Sequence, residues 1–121
     1  MQKILQEARS LREDLWRHMK ILAIEHDPPA VTAEQFTHTL LVAEAQRAWE
    51  LHQAGIIREL YFRADRPEAV LVLECADVDE ARSMLDTLPL VREKLVGFEL
   101  IPLMAYPGFA RLFTIDTEKS I

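Results

Sequence analysis

G-I-I-R-E-L-Y-F-R (Gly55–Arg63), followed by A-V-L-V-L-E-C (Ala69–Cys75), is the stretch that decides the fold. Both runs are rich in aliphatic and aromatic side chains. Between them lies Asp65-Arg66-Pro67-Glu68, a turn sequence, so the pair reads as a β-hairpin. Downstream, Asp77 followed by Glu80 forms a capping-box pattern that opens a helix. Ala81, Met84, Leu85 and Leu88 give that helix its apolar stripe, and Pro89 ends it. Phe98–Met104 is a last strand. Upstream, Gly55 is a natural stop for a helix that opens at Thr32, with Gln35 completing another capping box. Its stripe is Phe36, Leu40, Ala43, Leu51 and Ala54, with Leu41, Ala45, Ala48 and Trp49 beside it. Met19–Glu25 reads as the first strand, ended by Pro28-Pro29. The order is β-α-β-β-α-β. It specifies an α+β, ferredoxin-like domain: a four-stranded antiparallel sheet with both helices on one face. We assign residues 19–113 to this domain. Residues 1–18 form an N-terminal helical extension with Ile4, Leu5, Ala8, Leu11 and Leu15 at helical spacing, and residues 114–121 are a polar tail.

Composition narrows the function classes. A chain of 121 residues is one domain, long enough for a core without disulfides or metal. The net charge of −6 argues against general nucleic-acid binding and against docking on an anionic membrane. No apolar run approaches a membrane span, and charged residues interrupt the N-terminus where a signal peptide would be apolar, so a cytoplasmic protein is expected. The lone cysteine, Cys75, lies in an apolar strand and reads as a buried, inert thiol.

The strands do not alternate cleanly between apolar and polar. Ala69 to Leu73 are all apolar, as are Ile21 to Ile24 and Leu100 to Met104. A sheet with helices on one face and water on the other would alternate, so both faces read as buried. The face without helices measures roughly 400 Å² in projection, near the largest apolar patch a monomer tolerates. Covering it is worth on the order of 10 kcal/mol before the cost of association. A homodimer or higher even oligomer with sheets face to face is the expected solution, and the N-terminal helix is a competing cover.

At this point the chain resembles the dimeric α+β barrel proteins, nearest to the muconolactone isomerase-like family and more distantly to the YciI-like proteins. The resemblance covers about Met19 to Phe113. It is carried by G-I-I-R-E-L-Y (Gly55–Tyr61), V-D-E-A (Val78–Ala81) and L-P-L (Leu88–Leu90). It implies a small-molecule barrel, isomerase-like, acting on a lactone or enol. The family pattern has Arg-His-x-Trp around Arg58 to Tyr61; here Glu59 and Tyr61 hold the histidine and tryptophan positions.

Two facing sheets enclose a lumen able to hold a small organic ligand. Glu59, Tyr61 and Arg63 read as one face of their strand, with Arg58, Leu60 and Phe62 on the other. A carboxylate in a lumen has its charged form disfavoured, so Glu59 is the candidate base, with His26 at the cavity mouth as the second candidate catalytic group. Tyr61 is placed to orient a carbonyl oxygen. Arg63 is placed to hold a substrate carboxylate, and Glu74 to line the same space. The alternative for each is a solvated edge or an interfacial ion pair. The four histidines and one cysteine lack ligand spacing, so neither metal nor cofactor is expected. Two other functions remain open on this fold: a non-catalytic binding or assembly module, and a cofactor-free oxygenase-like enzyme.

Overall fold

The computed structural model describes residues 18–113. The expected helix before Met19 and the tail after Phe113 lie outside the described residues. Four strands form the sheet: β1 (Met19–His26), β2 (Ile57–Phe62), β3 (Ala69–Cys75) and β4 (Gly97–Pro102). Their order is β2-β3-β1-β4, every neighbouring pair antiparallel. This is the ferredoxin-like arrangement. The helices are α1 (His38–Gln53), α2 (Val78–Leu85) and the one-turn α3 (Pro89–Arg92), with 3-10 turns at Ala33–Gln35 and Pro107–Leu112.

Local chemistry explains where elements begin and end, and corrects three sequence expectations. The expected single helix from Thr32 is two elements. Thr32 and Gln35 do form a capping box, with the Thr32 N–H donating to Gln35 Oε1 at 2.8 Å, but it closes only the 3-10 turn. Phe36 then leaves helical geometry, and Thr37 supplies a second cap, its Oγ1 accepting from the Leu40 N–H at 3.2 Å. At the other end of α1, Gly55 takes φ of +79°. Its N–H reaches His52 O, and the Ile56 N–H reaches Leu51 O, both at 3.0 Å. This is a Schellman closure, which a residue with Cβ adopts only at a cost. Pro89, expected to break a helix, instead starts α3 at a position where a missing N–H is harmless.

The third correction is a β-bulge. Ile57 lies opposite Leu73, but Glu59 lies opposite Val72, so Arg58 is an extra residue in β2. Ile57, Leu60 and Phe62 therefore share the helix side with Leu73, Leu71 and Ala69. Glu59 and Tyr61 face the other way. Arg58, expected beside Leu60 and Phe62, instead reaches Glu74 on the open side, Nε to Oε1 3.7 Å.

The core lies between sheet and helices. Ile21, Ala23, Leu71, Leu73, Ile57 and Phe98 meet Leu51, Ala81, Leu85 and Leu88, all buried. On the opposite face Leu22, Ile24, Val70, Val72 and Ile101 are half-exposed. Strand β3 shows the contrast residue by residue, buried and half-buried positions alternating along its length. Trp49, Tyr61 and Tyr106 are exposed on the chain.

Candidate active site: a carboxyl-lined cavity between helix and sheet

Among the described residues an apolar cavity lies on the helix side of the sheet. A cavity of about 270 Å³ separates α1 from the sheet. Its existence follows from side-chain size. Ala45 and Ala48 on α1 face Ala69 on β3 across it, where larger aliphatic residues would close the space. Leu71, Leu88, Val96 and Phe98 form its floor and back wall, and Leu41, Leu60 and Phe62 its rim. The rim residues are 44%, 49% and 72% exposed, so the cavity opens between α1 and edge strand β2.

Two ionisable groups line this apolar space, and both are acids. Glu25 follows Ile21 and Ala23 at period two, which puts it on the helix face of β1. Its Oε1 accepts the Ala69 N–H at 3.0 Å. Burial pushes its carboxyl up to about 7. The bond from Ala69 opposes that shift, while Asp27 and Glu68 reinforce it. Glu44 sits on α1 one turn beyond Leu41 and one turn before Ala48. Its Oε1 accepts the Leu90 N–H at 2.9 Å. Burial raises its pKa too, the same bond partly opposing. None of the described residues lining the cavity is basic. Carboxyls held in an apolar space without a cationic partner resist ionisation, and Glu25, at about 7, exchanges its proton near neutral pH. Such a site can do acid–base chemistry on a small carbonyl compound.

The residues singled out from sequence lie elsewhere. Glu59 and Tyr61 are brought together on the open face, the Tyr61 hydroxyl donating to Glu59 Oε1 at 2.8 Å. That bond, with the glutamate charge, raises the tyrosine pKa. Glu74, on the same face, is paired with His18 Nδ1 at 3.1 Å and with Arg58. His18 and Glu74, with Lys20 and Met104, also line an open depression of about 720 Å³ at the sheet's end. Arg63 is engaged at the hairpin turn by Asp65, Nη2 to Oδ2 2.6 Å, and by Glu68 at 3.5 Å. His26 closes β1 with its ring against Gly97, where an added Cβ would lie 2.6 Å from Cε1. None of these five lines the helix-side cavity. Cys75 is buried, and desolvation pushes its thiol up to about 11, with Glu80 and Asp77 adding to the shift.

Sequence reasoning places Glu25 only at the end of the first strand, with no role assigned, and passes over Glu44. The available signals were the parity of Glu25 with Ile21 and Ala23, and the apolar neighbours of Glu44 at helical spacing. Among the described residues no cluster of three or more His, Cys, Asp or Glu side chains is arranged to hold a metal ion, and no helix is long and apolar enough to cross a membrane. The family model described as muconolactone delta-isomerase matches residues 19–108, well over half of the chain. No curated protein matches it.

Proposed function

The chain belongs to the muconolactone delta-isomerase family, and from that membership we propose that it moves a proton between two carbons of a small lactone or enol bound in the helix-side cavity. The observation that carries this reading is the pair Glu25 and Glu44, two carboxyls of raised pKa facing one apolar space. In a β,γ-unsaturated lactone, the α-carbon lies between a carbonyl and a double bond. Glu25 takes its proton there. The electron pair spreads over the carbonyl oxygen and the γ-carbon, and the Glu25 carboxyl, whose proton exchanges with solvent, delivers a proton at the γ-carbon to give the conjugated isomer. Nothing is oxidised or reduced. A base with a pKa of about 7 is matched to this task at neutral pH. Glu44, on the facing wall, hydrogen-bonds the oxygen on which charge develops.

The experiment is proton exchange. The protein is incubated in D2O with a β,γ-unsaturated butenolide, and deuterium at the α- and γ-carbons is followed by NMR. Catalysed incorporation that rises with pH through the Glu25 titration supports the assignment. Incorporation no faster than in buffer rejects it.

The open face belongs to assembly in this reading. Half-exposed Leu22, Ile24, Val70, Val72 and Ile101 form a continuous apolar surface. A second copy packed there gives a dimeric α+β barrel, and the paired groups around Glu59 and Glu74 then lie in or beside the shared lumen. Sedimentation equilibrium is expected to return a dimer or its multiple; a stable monomer at micromolar concentration rejects the barrel.

A further inference from the structure

We infer that the cavity selects uncharged substrates: a neutral lactone or enol of about ten non-hydrogen atoms, rather than one carrying a carboxylate. The inference rests on the reading of the helix-side cavity as the active site, and it deepens that reading by fixing the substrate class.

Three observations support it. The first is size. A space of about 270 Å³ holds roughly 200 Å³ of ligand atoms at interior packing density, or about ten non-hydrogen atoms. A five-membered lactone ring with one or two carbons attached fits within this. The second is charge. Glu25 and Glu44 are the ionisable groups facing the space, from β1 and α1, and Asp27 and Glu68 act on Glu25 from just beyond. A carboxylate brought into this site leaves water for an apolar lining that holds two acids and, among the described residues, no cation. The third is that the nearby cations have other partners. Arg47 donates to Thr87 Oγ1 at 2.9 Å and pairs with Glu50 at 3.0 Å. Arg63 is held by Asp65 and Glu68. Arg82 donates to Phe98 O at 2.9 Å. None of the three lines the cavity.

The walls supply what a neutral ring needs. Leu71, Phe98 and the three alanines contact its apolar faces, while the free oxygens of two carboxyl groups meet its carbonyl and its exchangeable proton. The exposed rim at Phe62 is where a charged tail would have to remain. That position offers an aromatic ring and no donor.

The test compares two ligands of the same ring: a methyl-substituted butenolide, uncharged, and muconolactone, which carries a carboxylate. Binding is followed by NMR shifts of the Ala45, Ala48 and Ala69 methyl groups, and chemistry by deuterium incorporation. The neutral ligand is expected to shift these methyls and to exceed muconolactone in kcat/KM by about tenfold or more. Phe62→Lys, a substitution at an exposed position, is expected to narrow that ratio severalfold by giving a carboxylate a cation at the rim. Muconolactone preferred over the neutral ring overturns the inference and leaves the proton-transfer reading standing. Neutral-ligand binding at the alanines without exchange upholds the selectivity and overturns the chemistry. Equal binding of both ligands overturns the inference, as does neutral-ligand binding that leaves all three methyls unmoved.

Discussion

The two faces of the sheet use the same kind of residue for opposite purposes. On the open side, Glu59 takes a hydroxyl proton bond from Tyr61, and Glu74 is flanked by His18 and Arg58. Those partners engage the carboxylate oxygens directly. On the helix side, Glu25 and Glu44 each accept one backbone N–H against an apolar lining, Glu25 with the acids Asp27 and Glu68 beside it, and burial raises the pKa of both. A carboxylate given a cation becomes a structural charge. One given an N–H and hydrocarbon but no cation holds its proton to higher pH. The distinction lies in the partner and not in the residue type.

Breaking the comparison at its strongest point gives the largest expected effect. Glu25→Gln removes the base and is expected to lower kcat/KM for a butenolide by about 10²–10⁴-fold, while Glu59→Gln changes it only a few-fold. Steady-state rates on the two variants check this, and equal losses would erase the contrast between faces.

Next in size is packing. Leu71 and Val72 are neighbours on β3, one buried and one half-exposed. Leu71→Ala is expected to cost about 2–5 kcal/mol in urea unfolding, and Val72→Ala less than about 1 kcal/mol within the subunit. Similar costs would mean that the open face is as tightly packed as the core.

The sequence yields the sheet order because turn chemistry and strand patterning agree. Asp65 to Glu68 forces the hairpin, Gly55 stops α1, and Asp77 starts α2. It leaves the helix-side cavity unread because two features are not written in local pattern. One is the void, which arises where Ala45, Ala48 and Ala69 meet from distant positions; an alanine in a stripe looks like core until its opposite number is also small. The other is the bulge at Arg58, which shifts parity within β2 and cannot be seen in a run of uniformly strand-forming residues. Glu25 was legible in principle, since Ile21 and Ala23 fix its face, but its position at the strand's end resembles a solvated terminus.

A smaller effect comes from pH. The Glu25 carboxyl titrates at its ordinary 4.5 in the unfolded chain and at about 7 in the fold. The folded protein thus retains a proton that the unfolded chain has lost. The stabilisation tied to that proton is complete below the lower value and disappears as pH rises through the upper one. Because the group is half-exposed, roughly 1–2 kcal/mol is expected to be lost between pH 5 and 8. Urea midpoints across that range check this, and Glu25→Gln is expected to flatten the slope.

Smallest of all is Tyr61→Phe. Its hydroxyl bond to Glu59 is exposed, so thermal denaturation is expected to register a change within about 0.5 kcal/mol. A larger loss in the assembled protein than in the isolated subunit would locate that bond inside a shared interface.

The one extra residue in β2 acts as a phase slip in an otherwise two-beat strand. Upstream of it Ile57 keeps time with the core; downstream Leu60 and Phe62 do so in the shifted beat. Excising Arg58 would restore the simple rhythm with Leu60 and Phe62 still toward α1 and Glu59 and Tyr61 still on the open side, whereas flattening the bulge with Arg58 kept in the ladder would turn the far half of the strand inside out. The doorway at Leu60 and Phe62 thus depends on the slip being absorbed at one residue, and a single-codon deletion there keeps the doorway while removing the side chain that reaches Glu74.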